Sequence, residues 1–260
     1  MSGRARIIVL GNEKGGTGKS TVSMHLIVHL LHQGVKVGSI DLDARQATLT
    51  RYVENRRTRA PGLPLPDHEP VPPTADRAAD EARLLAVLDR LAGACDVVVI
   101  DTPGSDSPLS RLGHSFADTL VTPINDSFVD LDVLARVEAG GSLRITRLSH
   151  YAEMIWETKK QRALRGERGA VDWIVLRNRL SHVDARNKRE VEAVLNTLSK
   201  RLAFRMVAGL GERVIYRELF LDGLTLFDLG RENGGGEMTL SHVAARQELR
   251  QLIEAVGIGG

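Results

Sequence analysis

The sequence predicts an α/β protein with a doubly wound, mostly parallel sheet flanked by helices. Short runs of β-branched and other apolar residues recur along the chain, as expected for parallel strands that are buried on both faces. Segments with apolar residues at helical spacing separate these runs. Several runs end in glycine or aspartate. In this fold class, ligands bind at the carboxyl ends of the strands.

Five strands are expected in the sheet. The first covers residues 6–10 and leads into a glycine-rich loop, which is followed by a helical pattern over residues 21–31. The other four strand candidates cover residues 35–40, 97–100, 119–122 and 173–176. Two more helices are expected over residues 184–202 and 241–256. This alternation fits a single domain over residues 1–260.

The segment between Pro61 and Pro73 interrupts the alternation. It holds six of the nine prolines, and proline cannot donate a hydrogen bond to a strand ladder. We therefore expect an insertion loop at about residues 55–75, which is either a tolerated insertion or a docking site for a partner. A glycine-rich break at residues 230–236 precedes the last helix.

Composition argues against several classes of protein. Cys95 is the only cysteine, which excludes an intramolecular disulfide and argues against a cysteine-ligated metal cluster. The sequence has neither a run of 18 apolar residues nor an apolar N-terminal stretch, so we expect a reducing cytoplasm and no membrane association. Because the net charge is only +2, nucleic-acid binding would need a local basic patch.

A phosphate loop, KGGTGKST, lies between the first strand and the first helix. Its glycines let the backbone curl so that successive amides face phosphate oxygens, and the helix adds its positive dipole end. Lys19 is expected to reach the β- and γ-phosphates, Ser20 to bind Mg²⁺, and Thr21 to bond the α-phosphate. The expected nucleotide-binding residues of the loop are Lys14, Gly15, Gly16, Thr17, Gly18, Lys19, Ser20 and Thr21.

The loop departs from the ordinary pattern, since Glu13 stands where a glycine is usual and Lys14 adds a second lysine. In this it resembles the deviant Walker A loop of the ParA/MinD family, KGGxGK[ST]T. The resemblance implies that ATP is the nucleotide and that ATP-bound chains form a sandwich homodimer. It also implies that Lys14 reaches the nucleotide of the partner chain, where a cation would neutralise charge that develops during phosphoryl transfer.

Aspartates follow two other strands. Asp101 comes after VVVI, the form of a Walker B carboxylate that holds Mg²⁺ through water; a simple turn former is the alternative. Asp43 matches the family position that orients the attacking water, so Lys14, Lys19 and Asp43 are the catalytic candidates. We interpret Asp41 as structural or as support for the metal. Asp106 fits either a switch loop or a helix cap.

Base recognition is expected at the end of the strand over residues 173–176. The segment WIVLRNR resembles the family strand whose terminal asparagine bonds the base. Asn178 can both donate and accept, as adenine requires. A turn asparagine is the alternative.

Longer blocks of sequence resemble the MipZ branch of this family, at residues 11–16, 54–57, 123–130, 160–164, 175–180, 213–220 and 244–250. The resemblance implies ATP-bound dimers that bind DNA non-specifically, interact with ParB and inhibit FtsZ polymerisation. Slow hydrolysis would return the dimers to monomers, giving a nucleoid-associated polar gradient. A ParA-type segregation ATPase is the alternative. A metabolic ligase on the same fold, similar to dethiobiotin synthetase, is a third possibility.

A local basic patch is consistent with DNA binding. Residues 177–217 carry ten basic and four acidic residues. The helix over residues 184–202 has an apolar stripe opposite several of the cations. Such a face suits phosphate contacts without sequence specificity, and a solvated helix face is the alternative. The expected DNA-binding residues are Arg186, Lys188, Arg189, Lys200, Arg201 and Arg213.

Overall fold

The computed structural model describes residues 4–43, 45–140, 142–166, 169–180, 185–231 and 236–257. The strands within this part of the chain are β1 Arg6–Leu10, β2 Val37–Asp41, β3 Asp67–Pro70, β4 Val97–Asp101, β5 Thr119–Asn125, β6 Ala135–Gly140, β7 Ser142–Leu148, β8 Asp172–Asn178 and β9 Arg205–Val207. The helices are α1 Lys19–His32, α2 Thr48–Arg59, α3 Arg77–Ala94, α4 Pro108–Ser115, α5 Phe128–Leu131, α6 His150–Leu164, α7 Ala185–Leu202, α8 Ile215–Leu221 and α9 Leu240–Val256.

Seven strands form one parallel sheet in the order β3-β2-β4-β1-β5-β8-β9. β6 and β7 form a separate antiparallel hairpin, which the sequence did not predict. The predicted α/β fold with a mostly parallel sheet is confirmed. The strand order reverses around β1, which lies between β4 and β5. The loop after β1 therefore lies at the switch point where ligands bind in open α/β sheets.

The sheet is buried on both faces. Along β1, Ile7 and Val9 belong to one hydrophobic cluster, whereas Ile8 and Leu10 belong to the other, as side-chain alternation along a strand requires. Helices α3, α4, α6 and α7 contribute to the first cluster, and α1, α2, α8 and α9 to the second. The predicted apolar stripe of α7 is buried, namely Val191, Val194, Leu195, Leu198 and Leu202.

The five predicted strands are all present, with bounds that differ by a few residues. β5 and β8 each extend to a terminal asparagine that the apolar pattern left out. The predicted helix over 184–202 is α7, although residue 184 lies outside the described residues, as do residues 232–235 of the predicted glycine-rich break. Among the described helices, none has both the length and the hydropathy needed to cross a bilayer.

The proline-rich stretch that we expected to form an irregular insertion loop at about residues 55–75 is irregular at residues 60–66 and 71–75, but the expectation is wrong for the residues of α2 and β3. α2 continues to residue 59, and β3 pairs in parallel with β2, from Asp67 opposite Gly38 to Pro70 opposite Asp41. β3 lies at the edge of the sheet, where a strand tolerates the missing amide of a proline. Val71, directly after β3, is fully buried.

A buried ion pair joins α2 to the segment after α8. The guanidinium of Arg56 donates to both carboxylate oxygens of Asp228 at 2.8 and 2.9 Å and to the carbonyls of Pro64 and Gly223. His32 of α1 also contacts Asp228, at 2.7 Å. Burial by itself would raise the pKa of Asp228, but the bonds from Arg56 and His32 outweigh it and hold the pKa at about 2. Three distant segments are thereby fixed together.

Asp228→Ala is expected to lower the free energy of unfolding by about 3–5 kcal/mol, because Arg56 is then left charged and unpaired in the interior. Asp222→Ala is the matched control. Its pair with Arg59 spans 3.7 Å between side chains that are each 60% exposed, so its loss should cost at most about 1 kcal/mol.

Urea denaturation of both variants at pH 7 measures the difference. Since the folded-state pKa of Asp228 is depressed to about 2, its contribution is complete above the unfolded value of about 3.9 and is lost as pH falls toward 2. Equal costs for Asp228→Ala and Asp222→Ala would contradict the assignment.

Candidate nucleotide site

The phosphate loop lies between β1 and α1 at the carboxyl edge of the sheet. Gly16 and Gly18 have φ angles of +72° and +91°, which side chains with a Cβ rarely adopt. α1 begins at Lys19, and Gly18 before it offers no side-chain cap. The first amides of α1 therefore have no capping side chain and are suited to an anion.

Lys19 and Ser20 occupy the first turn of α1. Lys19 is 7% exposed, and its Nζ donates to the carbonyl of Lys14 at 3.0 Å. Burial lowers the pKa of Lys19, while the nearby charges of Asp101 and Asp43 oppose that shift. The ammonium therefore lies under the loop, beside the acidic groups at the strand ends.

Asp101 and Ser20 form a pair of oxygen ligands at the end of β4. Ser20 Oγ donates to Asp101 Oδ2 at 2.6 Å, and Ser23 Oγ lies 3.2 Å from Asp101 Oδ1. Burial raises the pKa of Asp101 to about 7, and the charge of Asp41 adds to this. Hydroxyl and carboxylate oxygens are the ligands that Mg²⁺ prefers. The residues thus fit Mg²⁺, which Ser20 and Asp101 would hold and which would supply positive charge beside the phosphates.

Asp41 and Asp43 differ in burial and in their hydrogen-bond partners. Asp41 is buried, and its oxygens accept bonds from the Asp43 amide and from the amide and hydroxyl of Thr50, each at 2.9 Å. These bonds agree with a structural role. Asp43 is half-buried, and its Oδ1 accepts the amides of Arg45 and Gln46 at 3.2 and 3.1 Å. Asp43 also lines the same cavity as the phosphate loop.

Two cavities meet at the phosphate loop. One, of about 160 Å³, is lined by the loop together with Asp43 and Gln46. The other, of about 250 Å³, lies beside Thr21 and Asn178. Asn178 Nδ2 donates to the carbonyl of Thr17 at 2.7 Å, which ties the end of β8 to the loop. The smaller cavity suits phosphates and the larger one suits a base.

Lys14 is held within its own chain. Its Nζ donates to the carbonyl of Val129 and lies 3.5 Å from Asp130 Oδ1, both in α5. Its amide donates to Asn12 Oδ1 at 2.7 Å, and Asn12 Nδ2 donates to the carbonyl of Pro123 at 2.6 Å. Lys14, for which the family resemblance implies a contact with a partner's nucleotide, therefore contacts its own chain in this structure.

Asp106 does not cap α4, so that alternative is wrong. Ser107 is the cap, because its side chain accepts the amide of residue 110. Asp106 instead accepts a hydrogen bond from Arg111 Nε at 2.7 Å and lies 3.2 Å from His150 Nε2, so these two side chains hold it in place. Glu13 lies nearby, and burial and the charge of Asp106 raise its pKa.

Five of the six residues predicted to bind DNA belong to α7. Arg189, Lys200 and Arg201 are exposed. The side chains of Arg186 and Lys188 lie outside the described residues.

The sixth predicted DNA contact, Arg213, takes a different role. Its Nη2 donates to Glu248 of α9 at 2.5 Å, its Nη1 donates to Ser241 at 3.1 Å, and it lines the larger cavity. A phosphate contact of Arg213 would therefore have to share or replace its ion pair with Glu248.

Sequence reasoning missed Gly104, Gln46 and Arg179 of the phosphate cavity. A Cβ on Gly104 would lie 2.7 Å from the nitrogen of Gly15 and 3.0 Å from the carbonyl carbon of Lys14. The chain after β4 therefore packs directly on the phosphate loop. The Pro-Gly pair that follows Asp101 in the sequence could have indicated Gly104. No sequence feature indicated Gln46.

The phosphate loop carries two lysines and lies at the switch point of a parallel sheet, where ligands bind in this fold class. It lies beside a carboxylate suited to Mg²⁺ and a cavity large enough for a base. These features are those of a P-loop nucleotide-binding protein of the deviant Walker A class. The family model of ATPase MipZ matches residues 6–260. The chain therefore belongs to the MipZ family of ATPases.

The chain is similar to the chromosome-partitioning ATPase Soj of Thermus thermophilus, with 28% identity over 152 residues, covering 52% of this chain and 61% of Soj. It spans less than two thirds of the length of the curated relatives it matches.

Among solved structures, an ATP complex of a McdA variant from Cyanothece has a TM-score of 0.65 at 18% identity, covering 99% of this chain and 98% of the other. The septum site-determining protein MinD of Pyrococcus horikoshii OT3, complexed with Mg-ADP, has a TM-score of 0.58 at 18% identity, covering 98% and 96%. These similarities support the shared fold.

Gly104→Ala is expected to weaken ATP binding by about tenfold or more, because the added methyl group pushes against the phosphate loop, and overpacking costs about 1–3 kcal/mol. Gly93→Ala is the control, since a Cβ there meets nothing within 4 Å. Isothermal titration calorimetry with ATP and Mg²⁺ compares the two variants. Wild-type affinity in Gly104→Ala would show that this contact does not shape the loop.

Proposed function

We propose that this chain is an ATP-dependent dimerising switch ATPase that binds DNA non-specifically, interacts with ParB and inhibits FtsZ polymerisation, and so positions the division plane. The match to the MipZ family over residues 6–260 carries this proposal. It is supported by a phosphate loop with an additional lysine, Lys14, which contacts α5 in its own chain and does not line the phosphate cavity there.

The proposed hydrolysis uses residues of two chains. Lys19 neutralises the β- and γ-phosphates, and Asp43 at the edge of the phosphate cavity orients the attacking water. Lys14 of the second chain stabilises the charge that develops on transfer. Lys14 must first exchange its contacts with Val129 and Asp130 for the partner's nucleotide. Hydrolysis is slow because the full set of charges assembles only in the dimer.

The proposed DNA contact is the exposed face of α7, with Arg189, Lys200 and Arg201. The opposite face of α7 is buried against the core. The cations on the exposed face are therefore available to phosphates of the DNA backbone. Such contacts give affinity without sequence specificity. DNA-bound dimers and freely diffusing monomers would then form a polar gradient over the nucleoid.

A ParA-type segregation ATPase is the second candidate. The similarity to the chromosome-partitioning ATPase Soj favours it. Both candidates share the nucleotide chemistry and DNA binding and differ in the partner that the dimer acts on. The interaction with FtsZ therefore discriminates between them.

Co-sedimentation with FtsZ polymers tests the main proposal. Wild-type protein with ATP and Mg²⁺ should reduce the FtsZ in the pellet, whereas protein without ATP should not. Lys19→Gln, which removes the cation under the phosphate loop, should be inactive at equal concentration. FtsZ pellets that do not respond to ATP would contradict division control and favour segregation.

Asp43→Ala is expected to accumulate an ATP-bound dimer, because the dimer forms while hydrolysis is blocked. Lys14→Ala should stay monomeric with ATP, because the cation that joins the chains is gone. Multi-angle light scattering with ATP and with ADP measures both masses. A monomeric Asp43→Ala in excess ATP would refute the role assigned to that carboxylate.

Arg189→Ala/Lys200→Ala is expected to weaken DNA binding in the ATP state and to reduce the slope of log affinity against log salt by about two, one for each lost phosphate contact. Lys36→Ala/Arg83→Ala is the control of equal charge, at exposed positions away from α7. Fluorescence anisotropy across a salt series gives both slopes. Identical slopes for the two double variants would remove α7 from the DNA interface.

A further inference from the structure

The two cavities at the phosphate loop share a boundary. Gly18, Thr21 and Arg179 line both the smaller cavity, which suits phosphates, and the larger cavity, which suits a base. In a nucleotide, the α-phosphate joins the phosphate chain to the sugar and base. A side chain at this boundary therefore lies where the α-phosphate of a bound nucleotide would pass.

The backbone at Arg179 is held in an uncommon conformation. Its φ is +52°, a left-handed value that costs a residue with a Cβ about 1–3 kcal/mol. Its amide donates to Asn178 Oδ1 at 2.9 Å. On either side, the Leu180 amide donates to the Leu210 carbonyl at 3.0 Å, and the Leu210 amide to the Arg177 carbonyl at 2.8 Å. These hydrogen bonds hold the left-handed backbone conformation of Arg179 in place. Strained residues that are held by their surroundings in this way are often found at ligand-binding sites.

Arg179 differs from neighbouring arginines in its ion pairing within the described residues. Arg177 pairs with Asp126, Arg213 with Glu248, and Arg217 with Glu212 at 3.9 Å. Arg179 is exposed, and it forms no ion pair within the described residues. An unpaired guanidinium beside an anion-binding loop is available for a phosphate oxygen, and arginine suits that partner because its donors form a planar fork.

We propose that Arg179 is a nucleotide-binding residue that contacts the α-phosphate. This inference rests on the proposed ATP binding and deepens it. Consecutive residues then hold two parts of one ligand, since Asn178 meets the base and Arg179 meets the phosphate next to the sugar. The bond between the Arg179 amide and Asn178 Oδ1 also fixes which end of the Asn178 amide faces the loop.

Affinities for ADP and for adenosine, measured by calorimetry at fixed Mg²⁺, test this assignment. Arg179→Ala should weaken ADP binding by about tenfold or more, as expected when a hydrogen bond between charged groups is lost. Adenosine has no phosphate, so its affinity should not change. Arg217→Ala is the matched control, because Arg217 lines the larger cavity but not the smaller one. This variant should keep the wild-type ratio of ADP affinity to adenosine affinity.

Two more variants separate the side chain from the backbone. Arg179→Gly relieves the left-handed strain and should lose ADP affinity as Arg179→Ala does, whereas Arg179→Lys keeps the charge and should recover part of it. Wild-type ADP affinity in Arg179→Gly would overturn the proposal, since ADP binding would then need no side chain at this position. Equal losses for ADP and adenosine would also overturn it, by moving the contact to the base. Wild-type protein that binds no nucleotide would instead refute the proposed function itself.

Discussion

The register between β2 and β4 sets Asp41 directly opposite Asp101, and the rest of the site depends on this pair. The two carboxylates are 2% and 1% exposed, so they repel each other where water cannot screen them. Hydrogen bonds from Ser20 and Ser23 of α1 and from Thr50 of α2 partly compensate. These hydrogen bonds hold α1 and α2 against the two carboxylates. The positions of these helices in turn set the phosphate loop and the turn that carries the proposed catalytic carboxylate.

The sequence predicted features whose determinants lie close together in the chain. The phosphate loop and its flanking strand and helix are contained in residues 6–32, and apolar runs located the five inner strands. β3 was missed because its composition reflects an edge position, where neither burial nor every amide is needed. The pairing of Arg213 with Glu248, 35 residues away, carries no local signal. Gln46 and Arg179 likewise join the site only through the fold.

The nucleotide end of the sheet is connected to the proposed DNA helix. Arg177, one residue before Asn178, is 6% exposed and bonds Asp126 at the end of β5 at 2.9 Å. The same guanidinium lies 3.7 Å from Glu192 of α7. Arg177 therefore contacts α7 and is the chain neighbour of Asn178. The ion pairs of Arg177 give the two surfaces a continuous physical link.

The contacts of Lys14 with α5 reduce the free energy that this lysine can contribute to the proposed dimer. An ammonium group with no partner in the monomer would gain the full free energy of a new contact with the nucleotide. Because Lys14 already contacts Asp130, it would gain only the difference in free energy between the two contacts. An accessible ion pair is worth at most about 1 kcal/mol, so the intrachain contact is a weak competitor. A nucleotide with more negative charge would favour the contact between Lys14 and the partner's nucleotide. A nucleotide with less charge would favour the intrachain contact of Lys14 with Asp130. In the proposed dimer, the affinity of the two chains for each other would therefore depend on the number of phosphates on the nucleotide.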